Sequence, residues 1–175
     1  MVYKTASSRE TKKMATFLAK EILSARLKNS RAVVIALSGN LGSGKTTFVQ
    51  GFLRVAGVKS KITSPTFIIV KRFKIKDLRF KNIYHIDCYR VRKSNELLSI
   101  GIKDILSNPQ NIVLIEWPEK IKKYLPKNVI WIKFKYGEKE NERIIRIAKK
   151  YENIKFSTKY EKVRNYEKFS TKLRI

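Results

Sequence analysis

Residues 39–46 read Gly-Asn-Leu-Gly-Ser-Gly-Lys-Thr, a complete G-x-x-x-x-G-K-[ST] phosphate-binding loop. Gly39, Gly42 and Gly44 are three of only seven glycines in the chain, so their clustering is not a matter of composition. Just upstream, Arg31-Ala-Val-Val-Ile-Ala-Leu-Ser38 is an apolar run of strand length. Just downstream, Phe48, Phe52 and Val55 recur at helical spacing. Strand, glycine loop, helix is the arrangement this motif requires. It predicts an α/β, P-loop NTPase-like three-layer fold.

The chemistry follows from the main chain. Glycine takes positive φ without steric cost, so the stretch Gly39, Asn40, Leu41, Gly42, Ser43, Gly44 is expected to curl with its N–H groups turned inward. The helix beginning near Lys45 adds free N–H groups and the positive end of its dipole. Lys45 is then placed to reach β- and γ-phosphates. The Thr46 hydroxyl is placed to ligate Mg²⁺, and Thr47 to bond the α-phosphate side.

A length of 175 residues predicts one domain, with residues 1–150 as the nucleotide-binding unit and 151–175 as a basic tail, either a marginal helix or disordered. Cys88 is the only cysteine, which excludes a disulfide framework and a cysteine metal site. The opening Met1-Val-Tyr-Lys-Thr-Ala lacks a secretory leader's apolar stretch, and no segment approaches membrane-spanning length. A cytoplasmic protein with no membrane partner is expected. The formal charge of +26 raises the question of nucleic acid. The cations are nevertheless dispersed along the chain, so charge alone leaves direct RNA contact open. The densest stretch, Lys59–Asn82, sets eight Lys/Arg against Asp77 as its only acid and is the expected patch if one exists.

Along the chain, Ser7 and Glu10 read as a capping box. Met14, Phe17, Leu18, Ile22 and Ala25 then mark one face of a helix ending near Lys28. Gly57 is expected to stop the helix that follows the loop. Phe67–Ile75 and Lys81–Asp87 are β-rich and separated by too few residues for a helical crossover, which predicts an antiparallel hairpin. Short helices are expected from Ser94 and over Ile102–Leu106. A buried strand is expected over Asn111–Glu116, and a helix from Pro118 to Tyr124. Asn128–Tyr136 and Glu142–Ala148 read as a second hairpin, making a mixed parallel/antiparallel sheet.

A nucleotide-bound Mg²⁺ needs carboxylates near the loop. Glu116 closes an apolar strand at its C-terminal end, where ligands bind in α/β sheets. Asp87 closes Ile83-Tyr-His-Ile86 in the same way and suits either a metal-linked water or the attacking water. His85 is the only histidine and reads as a hydrogen-bonded buried side chain rather than a general base. Arg90 is compatible with phosphate, with Asp87 or with plain exposure. Trp117 suits either a nucleotide contact or the core; Trp131 reads as core and Cys88 as inert. Ser64-Pro-Thr66 precedes the hairpin, and a Ser/Thr pair there suits a γ-phosphate-sensing switch.

Taken together, Gly39–Phe48, Ser64-Pro-Thr-Phe67, His85-Ile-Asp-Cys-Tyr-Arg90, Glu96-Leu97 with Gly101-Ile102, and Ile115-Glu-Trp-Pro118 resemble the TsaE family. These are small bacterial P-loop ATPases of threonylcarbamoyladenosine formation in tRNA. The resemblance covers about residues 8–135. It implies ATP as nucleotide, Mg²⁺ as cofactor and slow hydrolysis. It also implies a TsaD–TsaB complex as partner, with tRNA met through that complex and no DNA. Carried over by motif, Lys45 would bind phosphate, Thr46 and Glu116 would hold the metal, and Asp87 would support metal or water. Ser64, Pro65 and Thr66, with His85, Tyr89, Arg90 and Trp117, would form switch or partner segments. Thr11 and Glu119 would approach the nucleotide. Asn40 stands where an acid is expected, Cys88 where a leucine is, and the residues beyond about 150 exceed the usual family length. Two other classes stay open on the residues alone. One is a small-molecule kinase on the same loop, the other a nucleic-acid module with a secondary nucleotide site.

Overall fold

Val33–Ser38 (β2) is buried at all six positions. A strand with no solvent face needs strands on both edges and helices on both sides. The computed structural model supplies both. It describes residues 1–25, 30–60, 62–63, 69–92 and 95–148. β2 pairs in parallel with β5 (Asn111–Glu116) on one edge and with β6 (Val129–Tyr136) on the other. β5 in turn pairs in parallel with β4 (Asn82–Asp87). Antiparallel strands extend both flanks: β3 (Val70–Lys74) on β4, β7 (Arg143–Ala148) on β6, and β1 (Val2–Thr5) on β7. The seven-stranded order is β1-β7-β6-β2-β5-β4-β3.

Alternation along β2 feeds two cores. Val33, Ile35 and Leu37 meet Ile112, Leu114 and the apolar sides of α1 (Ser8–Ser24) and α2 (Lys45–Val55). Val34 and Ala36 meet Val113 and Ile115 under α3 (Asn95–Ser99), α4 (Ile102–Ser107) and a 3₁₀ helix, Pro118–Tyr124. The three-layer expectation and the mixed sheet both hold. α1 and α2 approach closely at Gly51, where an added Cβ would lie 2.5 Å from the Lys12 carbonyl oxygen.

Five details depart from the sequence reading. The strand β1 was not anticipated. The helix α1 stops at Ser24, short of Lys28, and Arg79 explains where: its guanidinium donates to the carbonyls of Ile22 (3.3 Å), Leu23 and Ala25. The Ser7–Glu10 box forms, but the Glu10 carboxylate accepts from Ala6 N–H at 2.7 Å. The segment after Pro118 is 3₁₀ and kinked at Ile121. Trp131 is half-buried at the edge of the second core rather than inside it.

Within the basic stretch 59–82, Arg79 bonds the end of α1, and Lys71, Arg72 and Lys74 lie on the edge strand β3, where lysine discourages edge-to-edge pairing. No helix among the described residues is long and apolar enough to cross a membrane. Residues 64–66 and 151–175, on which switch and tail expectations fall, lie outside the described residues.

Candidate functional site

The parallel strands β2, β5 and β4 end together, and the loop of residues 39–44 rises from the first of them. Gly39, Gly42 and Gly44 all have positive φ. Gly44, at φ +100, delivers the chain into α2. At Gly39 the space is closed as well: a Cβ would sit 2.5 Å from the Phe134 carbonyl oxygen. The outer arc of the loop is held from the β6–β7 hairpin. The Tyr136 hydroxyl donates to the Leu41 carbonyl, and Arg143 donates to the Gly42 carbonyl at 3.3 Å. Ser43 Oγ is buried with no hydrogen-bond partner among the described residues.

Lys45 is buried at the first turn of α2. Its ammonium donates to the carbonyls of Gly39 (2.8 Å) and Asn40 (2.9 Å) and lies 4.1 Å from the Trp117 ring centre. Burial pulls its pKa below the ordinary 10.5, against the opposing pull of Glu116, Asp87 and Glu119. Trp117 adopts a left-handed conformation (φ +58), directing its ring back over the loop and against Tyr89, 5.1 Å away centre to centre.

The two strand-end acids are neighbours. Asp87 lies opposite Glu116 in the β4–β5 register, and both are nearly fully buried. The Thr46 hydroxyl lies within hydrogen-bonding distance of both Glu116 oxygens, 2.9 Å from Oε1 and 3.0 Å from Oε2. His85 Nε2 is 2.9 Å from the same Oε1. Asp87 Oδ1 accepts from the Tyr89 N–H at 2.9 Å. A cavity of about 260 Å³ opens between the loop and these acids, with Lys45, Thr46, Asp87, Glu116 and Trp117 on its walls. A second, of about 340 Å³, shares Gly42, Gly44 and Thr47 with the first and is closed by Ser7, Thr11, Asn141 and Arg143. The two cavities therefore flank the loop.

Most of the expected site residues are brought together. Gly42, Gly44, Lys45, Thr46 and Thr47, with Asp87, Tyr89, Glu116 and Trp117, meet in the first cavity, and His85 backs it. Leu41 stands at the exposed tip of the loop. Thr11 lines the second cavity, its hydroxyl 3.0 Å from that of Thr5. Glu119 and Arg90 are exposed and line neither cavity. Cys88 is buried beneath the site, its thiol pushed up to about 12 by that burial, which disfavours the reactive thiolate. Tyr136, Asn141 and Arg143 went unread in the sequence. The only local signal was the short Gly137 turn, which says nothing of which loop it faces.

Mg²⁺ prefers hard oxygen ligands and keeps several waters, so it needs only one or two protein groups beside phosphate. A threonine hydroxyl touching a buried carboxylate at the phosphate end of the loop fits that demand. Among the described residues no cluster of three or more His, Cys, Asp or Glu offers an alternative metal cage.

The family model described as "Threonylcarbamoyl adenosine biosynthesis protein TsaE" matches residues 5–145. The tRNA threonylcarbamoyladenosine biosynthesis protein TsaE of Haemophilus influenzae is 38% identical over 111 residues, 63% of this chain and 68% of that protein. Its namesake in Rickettsia conorii is 32% identical over 171 residues, 97% of this chain and 90% of that one. The latter alignment runs well beyond residue 150, so the C-terminal stretch is not foreign to the family. The crystal structure of Bacillus subtilis YdiB superposes with a TM-score of 0.60 at 24% identity, covering 98% of this chain and 95% of that one, and shares the fold.

Proposed function

The chain belongs to the TsaE family of threonylcarbamoyladenosine biosynthesis proteins, and from that premise we propose that it is a Mg²⁺-dependent ATPase that cycles a TsaD–TsaB transferase assembly. The observation that carries the reading is the meeting of Thr46, Glu116 and Lys45 at the mouth of a glycine loop. In water these groups would gain little from one another; in a buried pocket, fixed dipoles and charges act strongly on a phosphate chain.

Each residue then has a task. The main-chain N–H groups from Gly42 to Thr46 bond phosphate oxygens. Lys45 leaves the carbonyls of Gly39 and Asn40 to neutralise phosphate charge. Thr46 and Glu116 would hold Mg²⁺, which would supply charge neutralisation to the phosphate chain. Asp87, at the tip of the neighbouring strand, orients the attacking water. The cavity beside Thr11, Asn141 and Arg143 takes the nucleoside end. Among the described residues no arginine lines the first cavity. Without such a cation to stabilise transition-state charge, turnover by the isolated protein is slow.

The test is calorimetry of ATP binding with and without Mg²⁺, combined with tRNA modification assays in the presence of TsaD and TsaB. Wild type is expected to take up ATP with Mg²⁺. Lys45→Ala is expected to fold normally and lose nucleotide-dependent activity. Well-folded protein that takes up no nucleotide would defeat the proposal, as would full tRNA modification by Lys45→Ala.

A further inference from the structure

His85 is the chain's only histidine, and it is 0% exposed. It does not line the nucleotide cavity. A polar ring buried this deeply is tolerated when it is hydrogen-bonded to something that matters. Its Nε2 lies 2.9 Å from Glu116 Oε1, the oxygen that also faces the Thr46 hydroxyl at 2.9 Å. Nδ1 has no partner among the described residues.

These contacts assign the tautomer. An ionised carboxylate only accepts hydrogen bonds, so the proton of a neutral imidazole must sit on Nε2. Nδ1 then carries none. The ring is a donor to Glu116 and does not itself line the cavity. The register shows why a histidine is needed. Glu116 lies opposite Asp87, whereas His85 lies opposite Leu114, one step back on the same face of the sheet. A side chain reaching Glu116 from there must span the diagonal between strands, which a long, rigid ring does without added rotamer freedom.

We propose that His85 is a positioning residue for the metal site. Its Nε2–H fixes Glu116 Oε1 from behind, so that the carboxylate is aimed at Thr46 before any metal arrives. The inference rests on Thr46 and Glu116 being the Mg²⁺ ligands. Outer partners of this kind tune metal affinity through the ligand they hold.

Three measurements test it. The imidazole ¹⁵N shifts of the nucleotide-free wild type should show the neutral Nε2–H tautomer; an Nδ1–H ring overturns the proposal without involving nucleotide. ADP binding is then titrated at rising Mg²⁺ in wild type, His85→Leu and His85→Gln. For His85→Leu the Mg²⁺ needed for half-maximal effect should rise about tenfold, with metal-free ADP affinity unchanged. His85→Gln, which keeps an N–H donor, should recover most of the loss. Equal Mg²⁺ dependence in all three proteins sinks the proposal while leaving the ATPase reading intact. Absence of any Mg²⁺ effect in wild type sinks that reading instead. Should His85→Leu fail to fold, the tautomer and the His85→Gln titration decide: Gln must stay within about threefold of wild type, inside the range of a retained outer contact.

Discussion

The ammonium of Lys45 rests 4.1 Å from the centre of the Trp117 ring while bonding the carbonyls of Gly39 and Asn40. A cation over an indole face is held by the ring's quadrupole, more strongly where water is excluded. Trp117 adopts a left-handed backbone that non-glycine residues seldom use, and such conformations persist where the surroundings enforce them. The ring thus helps hold the Lys45 ammonium over the loop.

Trp117 should therefore report nucleotide arrival. When Lys45 turns to phosphate, the cation leaves the indole and the emission of Trp117 changes. The chain has two tryptophans, so Trp131→Phe isolates the signal. The expected result is an ATP-induced emission change that survives Trp131→Phe and vanishes in Trp117→Phe. A change that follows Trp131 instead would place the event elsewhere.

Lys45 also costs the empty protein stability. Its pKa is lowered on folding, chiefly by burial, so the protonated form favours the unfolded chain. The cost is fully present below the lowered value. It is relieved as pH climbs through the lowered value and is gone above the ordinary 10.5. Lys45→Met should accordingly raise the thermal midpoint of nucleotide-free protein at neutral pH, with the gain shrinking in alkali. The same variant should show no midpoint increase on adding Mg-ATP. A lowered midpoint in Lys45→Met would mean that its bonds to Gly39 and Asn40 outweigh its burial.

What could be read from the chain was local. The apolar run before Gly39, the spacing of Phe48 and Phe52, and the strand ends at Asp87 and Glu116 each announce themselves within ten residues or so. The pairing of those two acids followed from the strands being parallel neighbours. What escaped depended on distant partners. β1 is a four-residue edge strand defined by β7, at the other end of the domain. The end of α1 is set by Arg79, more than fifty residues downstream. The loop's outer arc is fixed by Tyr136 and Arg143, 95 and 101 residues from the carbonyls they bind. Periodicity carries no information about such contacts.

Arg79 offers a stability test separate from the site. Carbonyls at a helix C-terminus lack intrahelical partners and carry the negative end of the dipole, so a guanidinium there both bonds and neutralises. Arg79→Met should destabilise the fold by about 2 kcal/mol, taking a charged hydrogen-bond donor from partly buried acceptors. In a chain of this size that is a midpoint lowered by roughly 4–8 °C. Nucleotide affinity measured well below the midpoint should be unchanged. An affinity loss as large as the stability loss would mean that α1 communicates with the loop through Thr11.

The loop's own anchoring is testable at Tyr136. The outer carbonyls of the curl at residues 39–44 are held by Tyr136 and Arg143, at Leu41 and Gly42, and on the proposed reading that hold is what keeps the loop's N–H groups turned to phosphate. The Arg143 guanidinium also lies over the Tyr136 ring, 4.8 Å from its centre, so the two anchors brace one another. Tyr136→Phe keeps that stacking and removes one hydrogen bond. ATP affinity should fall about fivefold, the equivalent of one neutral hydrogen bond of about 1 kcal/mol. Arg143→Leu should cost more, because it removes the second anchor, the stacking and a wall of the second cavity at once. Because the two act as one brace, the double variant should lose less than the sum of the singles. Strict additivity would show that each residue holds its carbonyl independently. Unchanged affinity in both single variants would show that the glycine curl needs no outside support.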